Sequence, residues 1–317
     1  MKRQLCGLLA LALSLGATAP AHADYTFTSI DVPGSDNTSP GGVNSSGQIA
    51  GNYNPSGTFP FRGFLYSNGT YTTFDVPNAS TSGTGINNAG QVVGSYLSTA
   101  YHGFLRDGSN YTTLDGPGAT DTRAFGINDM GQISGSYATT PSKFPNHGFL
   151  LSNGSYTTFD VPGSTDTIGF GVNNATQIVG RYADAQARTH GFLRSGDSYT
   201  TLDFPGASFT EAIGINNLGQ IVGAYVTTGS HAFLYSNGTY TSLDFPGAFL
   251  TDADGINDLG EIVGSYTTTD AASRRHGFLA TPLATPVPEP SNGLLLTLGI
   301  ACVLCCTWLR ARRAATG

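Results

Sequence analysis

Six copies of one motif set the terms on which this chain can fold. Gly-(Ile/Val)-Asn begins at Gly42, Gly85, Gly126, Gly171, Gly214 and Gly255, at intervals of 43, 41, 45, 43 and 41 residues. About ten residues into each unit comes a Gln-Ile-Val-Gly-Ser-Tyr-like stretch, ending at Tyr53, Tyr96, Tyr137, Tyr182, Tyr225 and Tyr266. A His-Gly-Phe-Leu stretch follows, with its Phe at 64, 104, 149, 192, 233 and 278. A Tyr-Thr-Thr-Phe-Asp-like stretch closes the unit, with Asp at 31, 75, 115, 160, 203 and 244. Repeats of this period signal propellers, solenoids or helical arrays. Here the apolar runs are short and rich in Thr, Tyr, Phe, Ile and Val, which selects strands.

Each unit predicts four strands. Strand a leads into Gly-Ile-Asn, b is Gln-Ile-Val-Gly-Ser-Tyr, c is Gly-Phe-Leu-Tyr and d is Tyr-Thr-Thr-Phe-Asp. Asn68-Gly69 and Asn237-Gly238 between c and d favour a type I′ hairpin turn. Asn-Asn-Ala-Gly (87–90) and its relatives join a to b with residues that tolerate positive φ. Pro-Gly pairs such as 117–118 and 205–206 separate d from the next a. Four antiparallel strands repeated six times predict an all-β, six-bladed β-propeller. Strand d comes first, at 25–31, and the last unit stops after c. The orphan N-terminal strand is therefore expected to complete the last blade and close the ring. A β-solenoid is the alternative architecture.

Both ends read as address segments. Lys2 and Arg3, an apolar run from Leu5 to Leu15 and Ala21-His22-Ala23 make residues 1–23 a signal peptide, with cleavage between Ala23 and Asp24. At the other end a Pro-rich linker (281–292) holds Val287-Pro288-Glu289-Pro290, followed by an apolar run (293–309) and Arg310, Arg312 and Arg313 in a basic tail (310–317). Seventeen helical residues span about 25 Å, enough for a thin bilayer, with the arginines staying inside. This order of parts resembles the PEP-CTERM sorting signal. The resemblance implies a Gram-negative bacterium that makes extracellular polysaccharide, recognition by an exosortase-type enzyme, and transient anchoring in the inner membrane before release to the cell surface or matrix. A permanent single-pass anchor is the alternative.

Removing the ends changes the composition. Cys6, Cys302, Cys305 and Cys306 all lie in the end segments, so the body contains no thiol for a disulfide, zinc site or nucleophile. Residues 24–286 keep 9 of 14 basic and 20 of 21 acidic residues, a net charge of −11, which disfavours nucleic acid as a partner. The repeats in 24–280 resemble the HAF family of extracellular repeats through His231-Ala232-Phe233 and, with Gly in the middle, His102-Gly103-Phe104. That resemblance implies a secreted protein and leaves its activity open.

Chemistry is harder to assign. His102, His147, His190, His231 and His276 occur once per unit, with Arg62 in the first. Preceding strand c, they should lie far from the axis and brace the Asp that ends strand d rather than bind metal. The Asn-Asn/Asp turns lack the Asp-x-Asp-x-Asp spacing of a calcium loop. The sequence contains no Gly-x-Ser-x-Gly, His-Glu-x-x-His or P-loop motif, and nothing selects a carboxylate pair for glycoside hydrolysis. Hence no catalytic residue, metal ligand or cofactor is assigned. In antiparallel blades the bc and da connections share one face, and there the units diverge. Arg62, Tyr101, Lys143, Phe144, Arg188, Arg274 and Arg275 fall on bc loops; Arg123, Phe125, Phe170, Glu211, Asp252 and Asp254 fall on da links. Variable loops on a rigid scaffold are where recognition concentrates. The candidate ligand-binding set is Arg62, Tyr101, Arg123, Phe125, Lys143, Phe144, Arg188, Arg274 and Arg275. The expected function is non-catalytic binding of an extracellular polysaccharide or surface protein. The alternatives are a glycan-active lyase or hydrolase with its site in the channel, and a structural biofilm or coat protein.

Overall fold

A computed structural model describes residues 25–55, 60–140, 145–269 and 274–283, and the described residues contain 24 strands and no helix. Blade 1 is β2 (Ser35–Val43), β3 (Ile49–Pro55), β4 (Arg62–Ser67) and β5 (Thr70–Phe74), after β1 (Tyr25–Ser29). Blade 2 is β6 (Ser80–Ile86), β7 (Val92–Leu97), β8 (Tyr101–Asp107) and β9 (Asn110–Leu114). Blade 3 is β10 (Asp121–Ile127), β11 (Ile133–Ala138), β12 (His147–Ser152) and β13 (Ser155–Phe159). Blade 4 is β14 (Asp166–Val172), β15 (Ile178–Ala183), β16 (Thr189–Ser195) and β17 (Ser198–Leu202). Blade 5 is β18 (Phe209–Ile215), β19 (Ile221–Val226), β20 (Ser230–Ser236) and β21 (Thr239–Ser242). Blade 6 is β22 (Leu250–Ile256), β23 (Ile262–Thr267) and β24 (Arg275–Pro282), with β1 as its outer strand.

The chain is a six-bladed β-propeller of four-stranded antiparallel blades, closed by its N-terminal strand. β1 pairs with β24 from Tyr25↔Pro282 to Ser29↔Phe278. β24 thus runs two residues into the segment expected as linker. The signal peptide, its Ala23/Asp24 cleavage site, the Val287-Pro288-Glu289-Pro290 signal and the apolar run 293–309 lie outside the described residues. Among the described residues no helix is long and apolar enough to cross a membrane.

The motif residues have distinct mechanical duties. The strand-c phenylalanines Phe64, Phe104, Phe149, Phe192, Phe233 and Phe278 are each 0% exposed and form the blade cores. In the cd hairpins, Asn68 and Gly69 both adopt positive φ (48° and 80°), as a type I′ turn demands. The motif glycines form the throat, where a-strands of neighbouring blades converge. A Cβ on Gly126 would sit 2.5 Å from the Phe170 carbonyl oxygen, and one on Gly255 2.9 Å from the Gly42 Cα, so any side chain would push the blades apart.

The motif Asn closes the ring. In each blade its Oδ1 accepts backbone N–H groups two and four residues on, shaping the ab turn. Its Nδ2 donates to the backbone carbonyl of the equivalent Asn in the next blade. Asn44→Asn87→Asn128→Asn173→Asn216→Asn257→Asn44 is a complete cycle of bonds between 2.9 and 3.2 Å. A second set of staples comes from the strand-a Thr. Thr38, Thr81, Thr122, Thr167, Thr210 and Thr251 each accept, at 3.0–3.2 Å, the N–H of the residue following the preceding strand-d Asp.

Asn128 is 4% exposed and satisfies two N–H donors and two acceptors at once. Asn128→Ala strands the buried Asn173 carbonyl, at ~1–3 kcal/mol, and removes three part-buried bonds worth about 0.5–1.5 kcal/mol each, so a loss of about 3 kcal/mol is expected. For a domain of this size that corresponds to a fall in Tm of roughly 6–12 °C. Thermal unfolding by circular dichroism checks this; a fall under about 2 °C would remove the ring from its structural role.

Candidate functional site

Strand a carries a β-bulge in every blade. Pairing with strand b slips between Pro40/Gly42, Gly83/Gly85, Ala124/Gly126, Gly169/Val172, Ala212/Gly214 and Ala253/Gly255. Bulges re-aim side chains. The unpaired residue just before each Gly-(Ile/Val)-Asn lines the axial channel: Gly41, Thr84, Phe125, Phe170, Ile213 and Asp254. This ring surrounds a cavity of about 500 Å³ on the bc/da side. Its floor is an aliphatic waist of Val43, Ile86, Ile127, Val172, Ile215 and Ile256, each 6–8% exposed. On the other side of the waist a smaller hollow of about 70 Å³, lined by the same six residues, lies between the ab turns. The larger chamber is a cup that faces the bc/da side.

The cup has two unlike walls. Blades 3, 4 and 5 contribute Phe125, Phe170 and Ile213, with the two Phe rings edge-to-face at 5.0 Å. Blades 6, 1 and 2 contribute Asp254, Gly41 and Thr84. Between the walls runs a charge network. Glu211 on β18 meets Arg181 Nη1 of β15 at 3.8 Å. Asp252 on β22 accepts from Arg275 Nη2 at 2.6 Å and from Ser230 Oγ at 2.6 Å. The Arg275 backbone N–H donates to Asn37 Oδ1 at 2.9 Å, tying blade 6 to blade 1.

Two carboxyls in this cup titrate abnormally. Burial pushes the Glu211 carboxyl upward against the pull of Arg181, and the charge of Asp252 adds to the rise. Burial and the charges of Asp252 and Glu211 hold Asp254 well above the usual carboxylate range, opposed by Arg275. Asp254 is accessible only partly, on its channel side.

The sequence candidates are dispersed by the structure. Phe125 and Arg275 line the cup. Arg123 sits 4.0 Å from the centre of the Tyr101 ring, a cation–π pair on the same face. Arg274 pairs with Asp36 at 3.1 Å across the closing seam. Arg62 takes the brace position of the histidines, 3.7 Å from Asp75. Arg188 is exposed on the blade 4 bc loop, where its N–H binds Asp184 Oδ1 at 2.9 Å. Lys143 and Phe144 lie outside the described residues. Asn37, Asn52 and Phe61 line the cup and Arg181 stands behind its Glu211; none of the four was selected from sequence. Arg181 had a signal, since the other units carry Asn, Ser or Ala at its position in strand b.

The five histidines do brace the blades. Nδ1 of His102, His147, His190, His231 and His276 lies 2.9 Å from Asp115, Asp160, Asp203, Asp244 and Asp31, respectively. The Asn/Asp turns are likewise occupied with one another. Burial tends to raise the Asp129 carboxyl, but hydrogen bonds from Asn88 and Asn174 outweigh it and hold it low. Among the described residues no three potential ligands gather to hold a metal ion.

No family model matches the chain, and no curated protein does. Solved structures do. TolB from Acinetobacter baumannii matches at 12% identity and a TM-score of 0.54, over 74% of this chain and 63% of that one. The six-bladed β-propeller lectin of Aleuria aurantia matches at 14% identity and a TM-score of 0.46, over 83% of this chain and 100% of that one. The β-propeller domain of the Trilobed protease from Pyrococcus furiosus matches at 9% identity and a TM-score of 0.47, over 85% and 100%. At such identities the likeness is one of fold alone.

Two titration outcomes follow from this geometry. For His190, burial acts to lower the imidazole pKa, but Asp203 and Asp184 outweigh it and raise it above 6.5. A raised imidazole stabilises the fold fully below pH 6.5 and loses that contribution as pH rises through the folded value. NMR titration should place His190 above 6.5; a value at or below it removes the effect. Asp254 behaves oppositely to a salt-bridged acid. Between its ordinary and raised values the folded state holds more protons than the unfolded one, so wild-type stability falls as pH rises. Asp254→Asn is expected to exceed wild type in Tm at pH 8, with the gap shrinking toward pH 4. An equal Tm at both pH values would show that the carboxyl is well solvated.

Proposed function

We propose that the chain is an exported, surface-sorted binding protein for extracellular polysaccharide, held at the bc/da mouth of the propeller. The observation that carries this reading is the division of the cup. A sugar presents an apolar face of C–H groups and an edge of hydroxyls. The Phe125/Phe170/Ile213 wall suits the first, and Glu211, Asp254, Asn37 and Asn52 suit the second. A chamber of about 500 Å³ lies in the range of small-ligand sites, roughly 300–1,000 Å³. A concave cup favours a glycan over a surface protein, which would need a broad face. The signal-like residues 1–23, the HAF-like repeats and the PEP-CTERM-like tail support export, sorting by an exosortase-type enzyme and a place at the surface or in the matrix. The propeller would then be a non-catalytic module, released or anchored beside the polymer it binds.

One observation favours the enzyme reading: Glu211 and Asp254 share the cup, and both carboxyls are raised. Glycoside hydrolysis needs two carboxylates flanking one bond. These two come from adjacent blades, β18 of blade 5 and β22 of blade 6.

A glycan panel presented to the full-length chain in non-ionic detergent tests the proposal. Binding is expected to fall at least about tenfold, or ~1.4 kcal/mol, in Phe170→Ala. It should persist in Asp197→Asn, which alters an exposed cd turn on the opposite face. No binding to any glycan or matrix extract defeats the reading. New reducing ends formed by wild type but not by Glu211→Gln would establish the hydrolase instead.

A further inference from the structure

The polar side of the cup is unbalanced in charge. Glu211, Asp254 and Arg275 line it, and Asp252 and Arg181 stand behind them, so three carboxyls face two guanidiniums. Arg275 is committed to Asp252 at 2.6 Å, and Arg181 lies beside Glu211 at 3.8 Å. That leaves Asp254. Burial acts on its carboxyl first, then the charges of Asp252, Arg275 and Glu211; among the described residues no hydrogen bond reaches it, and it lines the open chamber. Its ring neighbour Gly41 adds no side chain to cover it, and a Cβ there would sit 2.8 Å from the Thr84 Cα. Directly across a sixfold ring from blade 6 is blade 3, which presents Phe125, with Phe170 next to it.

We propose that the cup selects a protonated amine carried on a sugar, as in a polysaccharide with unacetylated hexosamine units. The ammonium would lie against Asp254 and Glu211, and the ring's apolar face against Phe125 and Phe170. This inference rests on the glycan-binding reading and names the glycan. Each alternative leaves part of the cup unmatched. A uronic acid would add a like charge to the net negative wall. A neutral hexose would offer the Asp254 carboxyl no opposite charge to draw it into its ionised form. A bare metal ion lacks a third ligand among the described residues and makes no use of the aromatic wall. The net charge of −11 over residues 24–286 also draws cationic polymers toward the body before any specific contact forms.

The raised carboxyl of Asp254 fits this use. Its folded state bears the cost of burial and of the Asp252 and Glu211 charges, and an arriving ammonium offsets that repulsion and favours the ionised carboxylate. The groups facing Asp254 are Asp252 on its own strand β22, Glu211 on β18 and Arg275 on β24, with Arg181 of β15 behind Glu211.

The test compares glucosamine oligosaccharides with N-acetylglucosamine oligosaccharides of equal length, titrated calorimetrically into the full-length chain in non-ionic detergent at near-physiological salt. The free-amine series is expected to bind at least about tenfold tighter, equivalent to ~1.4 kcal/mol. Asp254→Asn should erase that advantage while leaving acetylated binding in place, and Phe170→Ala should weaken both series. Because Asp254→Asn is expected to be the more stable protein, a loss of binding there does not report unfolding; its Tm confirms this. Equal affinity for the two series overturns the amine proposal and leaves glycan binding standing. Amine binding that survives Asp254→Asn assigns it to general surface charge and also overturns the proposal. If neither series nor any other glycan binds, both readings fall together.

Discussion

A cycle of six side-chain amides holds this molecule shut. Propeller blades touch only their neighbours, so the structure has no central core to gather around and depends on how each blade grips the next. The motif Asn makes that grip with one side chain. Its carbonyl oxygen organises its own turn, and its amide nitrogen reaches the backbone of the next blade. Net hydrogen-bond energies are modest, about 0.5–1.5 kcal/mol each. Their placement matters more, since breaking one bond leaves buried groups stranded on two blades. The adjacent glycine completes the arrangement. Without a Cβ at Gly126 or Gly255, backbones approach closely enough for the amide to reach. Asn and Gly are thus one device, which is why they recur together.

That rigidity frees the residue next door. The bulge ejects one residue of each strand a from the ladder, immediately before the glycine. It has no paired residue in the ladder and no place in a blade core, so folding constrains its identity less than that of its neighbours, although Gly41 has no room for a Cβ and Thr84 bonds the Ala124 carbonyl. The six blades carry Gly, Thr, Phe, Phe, Ile and Asp there. Within strand a, variation is widest at the position that faces the cavity. A sixfold scaffold is symmetric, whereas a site for one ligand is not, and the bulged position is where the symmetry breaks. Asp254 shows the expense of that freedom: a carboxyl raised by burial at the channel lowers the stability of the fold at neutral pH.

Periodicity in sequence revealed whatever is repeated. The six units, the permuted closing strand, the Asn-Gly turns and the His–Asp braces all appear as patterns, because each is a local demand met six times. The cup was not visible in the same way. Pairing strand a with b in unbroken alternation gives no reason to expect Phe125 and Asp254 in one ring. A bulge shifts the register by one residue, and no single residue type marks it. Basic and aromatic residues on the bc loops drew attention instead, yet Arg62 and Arg274 are held by Asp75 and Asp36. Arg181 stands on a strand rather than a loop, where a search for variable loops does not look. Phe125, Phe170 and Asp254 fall together on the da links in sequence, but only comparing the strand-b column of Asn52, Ser95, Ser136, Arg181, Ala224 and Ser265 exposes Arg181.

The charged side of the cup also lies at the seam where the ring closes. Blade 6 is assembled from both ends of the described chain, and its strand β24 starts with Arg275. That residue binds Asp252 within its own blade through its guanidinium and Asn37 of blade 1 through its backbone. Arg274 beside it reaches Asp36. The contacts that orient the cup's cation therefore also link the last blade to the first. A ring that has not closed cannot hold Arg275 in place, and without Arg275 the Asp252 carboxylate would add its full charge to Asp254 and Glu211. Site formation thus waits on the same closing step that completes the fold. Any ligand that bridges Asp254 to the aromatic wall, from blade 6 across to blades 3 and 4, would in turn strengthen the ring at the seam where its two ends meet.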